Sequence, residues 1–354
     1  SSTMLDASSH TLLAPWHAAI QVEDYQLYPV LKALAMPRVS LLLADDVGLG
    51  KTIEAGLVLT ELIARRRLRR ILVLCPASLQ AQWRDELREK FAMDFAVLDR
   101  DSAFALQQDL GTDANPWAAT PRAITSMDYL RQADILSLFE RASQGLTPAD
   151  AGRVAWDLVI VDEAHNLAPS SFADDSQRCR MLRDILPHFE HRLFLTATPH
   201  NGYTQSFSGL LELLDPVRFQ QKVVLTDGDR AQVHAVMVRR LKSELNARST
   251  VPEFPKRHVC ARRVEFGHQE EAGLFASLEE YRNEGVRIAA RAGKREAHLA
   301  RFLFSILTKR LLSSSLAFAR TWWKHVVGYG MTEGDYEGAQ QAADRTRSEI
   351  VDDA

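Results

Sequence analysis

Residues 45–52 carry the clearest chemical signature of the sequence, Asp-Asp-Val-Gly-Leu-Gly-Lys-Thr. They follow an apolar run at 39–44 and precede an apolar-periodic segment, which predicts a strand, a glycine-bearing loop and a helix N-terminus. Backbone N–H groups in such a loop converge on a polyphosphate, and the helix dipole favours the same anion. Lys51 would reach the β- and γ-phosphates, and the Thr52 hydroxyl would complete a Mg²⁺ shell.

Two further segments place polar residues after apolar runs. Residues 158–161 end in Asp-Glu-Ala-His at 162–165, and residues 192–195 end in Thr-Ala-Thr-Pro at 196–199. Ligands of open parallel sheets sit at the carboxyl ends of strands. Asp162 can hold Mg²⁺, and Glu163 can orient and deprotonate an attacking water. Acidic residues after a strand also cap helices, but three such motifs in this order favour a nucleotide site.

Composition sets wide bounds on the class of protein. A length of 354 residues, with 46% hydrophobic and 25% charged residues, fits a soluble chain of two or three domains. Neither a signal peptide pattern nor an apolar stretch of about twenty residues is present. The sparse cysteines at 75, 179 and 260 lack metal-ligand spacing and fit a cytoplasmic protein. A net charge of −3 excludes a globally basic nucleic-acid binder but leaves room for a local patch.

Strand-like and helix-like runs alternate between about residues 25 and 240. Strands are predicted at 39–44, 71–75, 95–98, 123–126, 158–161 and 193–195, and helices at 52–67, 78–91, 128–141 and 176–189. Strands separated by helices of about ten to fifteen residues imply right-handed crossovers and a mostly parallel sheet covered on both faces. The pattern therefore predicts an α/β fold.

After Pro199 the pattern becomes mainly helical. Helices are predicted at 207–214 and 231–245, then a proline-bearing linker at 248–255, a strand at 259–266 and two or three helices between 270 and 327. Apolar residues spaced by three and four between Leu299 and Leu311 form an amphipathic stripe. The acidic segment 331–354 has few aromatic residues, and we expect it to be disordered.

As a set, these motifs resemble the first RecA-like lobe of a superfamily-two helicase, within the Swi/Snf-like DNA translocases. The resemblance is carried by Tyr25 and Gln26 and by residues 45–56, 75–79, 82–83, 125–126, 162–165, 196–199 and 237–242. The sequences of residues 47–56 and 238–242 are similar to those of a bacterial RNA-polymerase-associated branch of the family. They are also similar to the Swi/Snf-like ATPase of DISARM antiphage systems. Asp46 stands where the family usually has Glu.

The resemblance implies a P-loop ATPase with a RecA-like parallel sheet, using ATP and Mg²⁺ and acting on DNA, with subunits of a defence or transcription complex as possible partners. Gln26 would read adenine, and Asp46, Gly48, Gly50, Lys51 and Thr52 would bind phosphates and metal. In the DEAH box at 162–165, Asp162 and Glu163 would hold metal and water. His165, Thr196 and Thr198 would couple nucleotide to the nucleic-acid groove. Pro76, Ser78, Thr125 and Ser126 would line that groove.

The resemblance also sets expected domain boundaries. Residues 1–20 would be an N-terminal extension, 21–250 the ATP-binding lobe, 251–330 a helical linker toward a second lobe, and 331–354 the acidic tail. The family needs a second RecA-like lobe that supplies arginine fingers, and none fits after Phe266. Because such fingers are worth roughly a thousandfold in rate, we expect the chain to be part of a larger protein and to hydrolyse ATP weakly alone.

Several alternatives remain open at this point. A strand-separating helicase would share the same first lobe, and an ATP-gated protein-interaction module would fit the acidic net charge. A small-molecule P-loop kinase is disfavoured because it gives the motif at 196–199 no role. The basic tract at 65–70 ends a helix, where cations complement the dipole, so we interpret it as a solvated helix end. Trp83 lies on an apolar helix face and is interpreted as a core residue.

Overall fold

A seven-stranded sheet lies at the centre of the first of two units in the computed structural model. The structure describes residues 12–20, 22–66, 68–144, 155–170, 174–200, 202–248, 254–255, 260 and 269–327. Residues 1–256 form the first unit and residues 257–354 the second. The strands are β1 (Ser40–Leu43), β2 (Ile71–Cys75), β3 (Ala96–Leu98), β4 (Arg122–Ser126), β5 (Trp156–Val161), β6 (Phe189–Leu195) and β7 (Met237–Val238).

All the described strand pairings are parallel, in the order β3-β4-β2-β5-β6-β1-β7. The connecting helices are α1 (Ala14–His17), α2 (Asp24–Leu34), α3 (Lys51–Arg66), α4 (Gln80–Phe91), α5 (Arg100–Leu110), α6 (Pro116–Ala119), α7 (Met127–Leu130), α8 (Ala133–Gln144), α9 (Gln177–Ile185), α10 (Thr204–Leu214), α11 (Asp227–Val236) and α12 (Lys242–Arg248). This architecture confirms the predicted α/β fold with a RecA-like parallel sheet.

Side chains of the central strands alternate between two hydrophobic cores. Leu158 and Ile160 of β5 pack into the core covered by α1 to α4, whereas Val159 and Val161 pack into the core on the other face. Successive side chains of a strand point to opposite faces of a sheet, and parallel strands covered on both faces are apolar throughout. The continuous apolar runs in the sequence follow from this two-sided burial.

Helix α3 is buried over nine consecutive residues, from Glu54 to Leu62. A Cβ added at Gly56 would lie 2.2 Å from a ring carbon of Phe91, so the glycine permits the close approach of α3 and α4. The buried Glu61 carboxylate accepts the backbone N–H groups of Leu13 and Ala14, which ties the start of α1 to α3. The helix that follows the glycine loop is therefore held by both α1 and α4.

The structure corrects three of the predicted elements. The helix predicted at 128–141 is two helices, α7 and α8, separated by residues 131 and 132. The helix predicted at 231–245 is broken: α11 ends at Val236, β7 pairs with β1, and α12 begins at Lys242. The predicted loop at 111–120 contains the short helix α6, whose first turn is capped by the Asn115 side chain. The strand expected at 259–266 lies outside the described residues except for residue 260, and the tail at 331–354 lies wholly outside them.

The second unit contains three described helices, α13 (Gln269–Ala292), α14 (Lys294–Ser313) and α15 (Ser315–Val327). Its core is formed by Leu278, Phe304, Leu307, Leu311 and Phe318. The predicted amphipathic stripe on α14 supplies part of this core. Among the described helices of the chain, none combines the length and the apolarity needed to cross a membrane.

Candidate nucleotide-binding site

Three predicted motifs follow neighbouring parallel strands and meet at one edge of the sheet. β6 pairs with both β1 and β5, in a register that aligns Leu43 with Leu195 and Val161 with Phe194. The glycine loop follows β1, the Thr-Ala-Thr-Pro segment follows β6, and the acidic pair follows β5. Strands in a sheet lie about 4.8 Å apart, so the loop and the acidic pair start roughly 10 Å apart.

The glycine loop has the backbone of an anion cradle. Gly48 and Gly50 adopt φ angles of +81° and +87°, which side chains with a Cβ rarely adopt. Helix α3 begins at Lys51, so its first N–H groups point into the loop. The Lys51 ammonium donates to the carbonyls of Asp45 and Asp46, at 2.8 and 3.3 Å. Thr52 follows on the first helical turn and is half-buried.

Gln26 lies against the glycine loop. Its amide Nε2 donates to the carbonyl of Leu49 at 3.4 Å, and its Oε1 accepts the N–H of Glu23 at 3.1 Å. A Cβ at Gly50 would lie only 2.8 Å from this same Nε2. A glutamine amide has two N–H donors and two acceptor positions, so Gln26 keeps the capacity to bind a further group.

The acidic pair at the end of β5 is held by protein donors. Oδ2 of Asp162 accepts the indole N–H of Trp83 at 2.9 Å, and Oδ1 accepts the backbone N–H of Glu163 at 2.8 Å. Glu163 adopts a φ of +48°, an uncommon conformation for a residue with a side chain. Glu163 itself is half-buried.

His165 connects the acidic pair to the segment after β6. Its Nδ1 lies 3.0 Å from the hydroxyl of Thr196 and 3.2 Å from Oε2 of Glu163. The same Thr196 hydroxyl accepts the backbone N–H of Thr198 at 3.1 Å. The three residues predicted to couple nucleotide to nucleic acid therefore form one chain of contacts that begins at Glu163.

The residues after β7 hold the first two residues of the glycine loop. Asp45 accepts the backbone N–H of Arg240 at 2.7 Å, and its other oxygen pairs with the Arg240 guanidinium. The Asp46 carboxylate accepts the N–H of Lys242 at 3.0 Å, and the Asp46 N–H donates to the Arg240 carbonyl at 3.1 Å. Asp46 is thus engaged by the protein, and its predicted contact with nucleotide stays a prediction.

The four residues predicted to line a nucleic-acid groove differ in exposure. Ser78 is exposed and Pro76 is half-buried. The Thr125 hydroxyl is fully buried and donates to the Leu98 carbonyl at 2.7 Å, while the Ser126 hydroxyl caps α7 by accepting the Tyr129 N–H at 3.1 Å. The geometry therefore leaves Ser78 as the hydroxyl that faces solvent, and the roles of all four stay predictions.

The basic tract at 65–70 serves the fold of the protein where it is described. Arg65 pairs with Glu61, and Arg66 donates to the carbonyls of Met36 and Pro37. The Arg70 guanidinium stacks 4.4 Å from the ring centre of Trp156. These side chains are half-buried and engaged by the protein itself, which differs from the solvated helix end expected from the sequence.

The residues present fit Mg²⁺ and a nucleoside triphosphate. The described residues contain no group of three or more metal-ligating side chains, and Mg²⁺ bound with a nucleotide needs only one or two protein oxygens beside phosphate oxygens and waters. Asp162, fixed through both oxygens, and Thr52 at the start of α3 would supply them. The glycine cradle and the Lys51 ammonium would receive the phosphates.

Two side chains of this region, Trp83 and Arg240, make contacts that the sequence did not predict. Trp83 was interpreted as a core residue and is 2% exposed, but its indole N–H also binds Asp162. Arg240 belongs to the segment that carried the resemblance, yet no pattern placed it against Asp45, 195 residues earlier. Only the buried position of an indole, which needs a partner for its N–H, could have hinted at the first contact.

The described strand pairings are all parallel, the glycine-lysine loop follows β1, and the acidic pair follows β5 on the other side of β6. This arrangement defines a RecA-like P-loop nucleoside triphosphatase lobe. The sequence model of the SNF2-related domain matches residues 29–313. This chain therefore belongs to the SNF2-related family, the Swi/Snf-like ATPases of helicase superfamily two.

Known relatives agree with this assignment. The RNA polymerase-associated protein RapA of Yersinia enterocolitica is 41% identical over 184 residues, which cover 52% of this chain and 17% of that protein. RapA of Yersinia pestis strain Antiqua is 40% identical over the same extent. The chain thus spans about a sixth of the length of these relatives. The fold is similar to the Sulfolobus solfataricus SWI2/SNF2 ATPase core in complex with dsDNA, with a TM-score of 0.50, 16% identity, and coverage of 88% of this chain and 60% of that one.

Proposed function

We propose that this chain is the first motor lobe of an ATP-dependent translocase that acts on duplex DNA. Its described site would bind Mg-ATP at the glycine loop, with Lys51 on the phosphates and Asp162 and Thr52 on the metal. Glu163 would orient and deprotonate the attacking water. The observation that carries the proposal is the chain of contacts from Glu163 through His165 to Thr196 and Thr198, because it joins the hydrolytic residue to a second surface.

The order of events would follow from these contacts. Phosphate would draw the Lys51 ammonium away from the carbonyls that it now contacts, since a charged acceptor forms the stronger hydrogen bond. Loss of the γ-phosphate would change the charge beside Glu163 and so the hydrogen bond that His165 shares between Glu163 and Thr196. A movement at Thr198 would be the mechanical output. In the whole protein, a second lobe would complete the site, as expected from the family.

Duplex DNA as the substrate of movement is supported by the fold and by local charge. The structural neighbour is described in complex with dsDNA. An open cleft of about 550 Å³ beside Thr198 and Pro199 is lined by two arginines, Arg230 and Arg239, and by the imidazoles of His200 and His234. The exposed Ser78 lies at the end of β2, on the carboxyl edge of the sheet that also carries the nucleotide site. These features support contact with a phosphate backbone rather than with bases.

For the biological setting, the relatives with the highest identities named above are RNA polymerase-associated proteins. This similarity supports a role at transcription complexes. Antiphage defence, with partner subunits of a defence complex, rests on the sequence resemblance alone and is the alternative setting. The domain limits proposed from the resemblance, with a helical linker after residue 250, apply to either setting.

The site is tested by comparing Glu163→Gln with Lys51→Ala in the 354-residue chain. Glu163→Gln should bind a fluorescent ATP analogue with Mg²⁺ as well as wild type, because it leaves the cradle intact. Lys51→Ala should lose most binding. If both variants bind nucleotide like wild type, the nucleotide is not held at this edge of the sheet.

DNA contact is tested by measuring duplex affinity against salt concentration. A protein that contacts phosphates loses affinity steeply as salt rises, with a log–log slope of about −0.9 for each phosphate contact. Arg239→Ala should reduce the slope by about one contact, whereas Arg287→Ala, in an exposed ion pair of the second unit, serves as the control. An ATP-gated module without DNA contact would show no duplex affinity at low salt.

A further inference from the structure

A buried ionic cluster joins β7 to the glycine loop and to α3. The Arg240 guanidinium pairs with both Asp45 and Glu54, whose side chains are fully buried, while its own is 14% exposed. The same guanidinium donates to the backbone carbonyl of Tyr25 and lies 5.2 Å from the centre of the Tyr25 ring. Three segments far apart in the sequence therefore meet at one side chain.

The cluster holds two carboxyl groups and one guanidinium. Two carboxylates share one guanidinium, so the fully ionised cluster would hold an uncompensated negative charge in the core. Burial, and next the neighbouring Asp45, raises the pKa of Glu54 to about 9. Glu54 is therefore protonated at physiological pH, which lowers the negative charge of the cluster. Oε2 of Glu54 has no hydrogen-bond partner among the described residues.

Stability alone does not account for such a cluster. Replacing buried ion pairs by apolar side chains of similar volume is often neutral or stabilising, because the desolvation of the charges offsets their attraction. What an ionic cluster adds is a defined geometry, since each guanidinium N–H must face its acceptor.

The contacts of Arg240 connect the two sides of the nucleotide site. Asp45 opens the glycine loop, and its carbonyl also accepts the Lys51 ammonium. Tyr25 directly precedes Gln26, whose amide contacts the loop at Leu49. Arg240 therefore contacts the loop on the phosphate side and the segment that carries Gln26 on the base side, without reaching the cradle itself.

We propose that Arg240 is a positioning residue for nucleotide binding, which holds the phosphate cradle and the Gln26 segment in a fixed relation. This proposal rests on the proposed function, because it assumes that a nucleotide binds at the glycine loop. Arg240 acts through Asp45 and Tyr25 and touches no phosphate or base. Its removal should therefore weaken the binding of a whole nucleotide more than the binding of its phosphates alone.

The experiment compares ADP with inorganic pyrophosphate, which has the same two phosphates and no nucleoside. Affinities are measured in the presence of Mg²⁺ on the 354-residue chain, by competition with a fluorescent ADP analogue. Arg240→Met should weaken ADP binding by about tenfold or more, the effect of losing roughly 1.4 kcal/mol. Pyrophosphate binding should fall less, so the preference for ADP over pyrophosphate should shrink.

Arg192→Met is the matched control. Arg192 is another buried arginine, on β6, and it donates to the carbonyls of Leu186, Leu213 and Leu214, away from the nucleotide site. Its loss should lower the free energy of unfolding and leave the affinity of the folded protein for both ligands unchanged. A general loss of stability is thereby separated from a loss of positioning.

Arg240→Lys covers the case in which Arg240→Met does not fold. Lysine keeps the positive charge but cannot reach Asp45, Glu54 and the Tyr25 carbonyl together, so a several-fold loss of ADP affinity is expected. If the variant that folds binds ADP within about twofold of wild type, Arg240 does not position the nucleotide. If wild type binds neither ligand, the proposed function fails first, and this inference with it.

Discussion

The indole N–H of Trp83 donates a 2.9 Å hydrogen bond to Oδ2 of Asp162, which joins the first turn of α4 to the end of β5. Trp83 is 2% exposed, so this N–H has no access to water. The second oxygen of Asp162 accepts the N–H of Glu163. The carboxylate that would hold Mg²⁺ is therefore fixed in orientation by donors on both of its oxygens.

Trp83→Phe should raise the Mg²⁺ concentration required for half-maximal nucleotide binding by roughly tenfold. Partners of metal ligands typically change metal affinity by 10- to 100-fold when they are removed, because they orient the ligand. Phenylalanine removes the donor together with part of the indole packing, and a second buried tryptophan controls for the lost packing. A Mg²⁺ titration of fluorescent nucleotide binding measures the change.

Trp156→Phe provides the control for this prediction. Trp156 is a fully buried tryptophan at the opposite end of β5, and its indole N–H donates to the Ser143 hydroxyl at 3.1 Å. Its loss should affect stability alone. An equal shift in Mg²⁺ dependence for both variants would mean that Trp83 acts through the core and not through Asp162.

Gly50→Ala should abolish most nucleotide binding. Its φ of +87° strains any residue with a Cβ, and that Cβ would lie 2.8 Å from the Gln26 amide nitrogen. Either Gln26 or the loop must move. Binding of a fluorescent nucleotide and the free energy of unfolding are measured together.

Gly111→Ala separates backbone strain from the collision. Gly111 ends α5 with a φ of +108°, but a Cβ there meets nothing within 4 Å. Strain of about 1–3 kcal/mol is expected at such positions, so both variants should be less stable. Only Gly50→Ala should lose nucleotide, and a loss in both would point to unfolding as the cause.

Stability should fall as pH drops from about 6.5 to about 4 because of His191. The buried imidazole accepts the Val39 N–H on Nδ1, so it must remain neutral there. Burial, and next the nearby Arg66, lowers the pKa of His191 from 6.5 to about 4. Between pH 6.5 and pH 4 the imidazole is protonated in the unfolded chain and neutral in the folded chain. The free energy of unfolding therefore decreases by on the order of 2 kcal/mol across this window.

His191→Asn isolates this contribution, because its Oδ1 can accept the same N–H without titrating. Denaturant unfolding of both proteins at several pH values gives the comparison. The difference in unfolding free energy between wild type and His191→Asn should shift in favour of the variant on acidification and stay constant above about pH 7. A constant difference over the whole range would show that His191 is not the group responsible.

Alkylation of the native protein should modify one thiol. Cys75 and Cys179 are fully buried, and burial, followed by a neighbouring aspartate, raises their pKa values to about 12 and about 11. Cys260 is exposed. Since the thiolate is the reactive form, mass spectrometry after iodoacetamide treatment at about pH 8 should find one adduct. Cys260→Ser should remove it, and denaturant should restore reaction at the other two.

The elements that could be predicted from the sequence are those whose burial requires a continuous run of apolar residues. Of the seven strands predicted from apolar runs, six lie in described residues. All six are present because a sheet covered on both faces needs apolar side chains on both. β7 was missed because it has only Met237 and Val238. Its strand conformation depends on pairing with β1, a contact that spans most of the domain and that leaves no local period.

The same distinction holds at the site. The glycine loop and the acidic pair could be recognised because their chemistry resides in consecutive residues. Trp83 and Arg240 could not, because their roles depend on where one N–H or one guanidinium points after folding. Both contacts cross from one chain segment to another, and residue type alone does not determine such directions.

The position of β1 between β6 and β7 has a consequence for the growing polypeptide. Arg240 and Lys242, whose backbone N–H groups bind the side chains of Asp45 and Asp46, leave the ribosome about 195 residues after those two residues. At ordinary rates of synthesis this delay lasts roughly 10 to 40 seconds. During this interval the nascent chain carries the whole loop sequence without the contacts that hold its first two residues. The loop can therefore take its final shape only after the residues that follow β7 have been made.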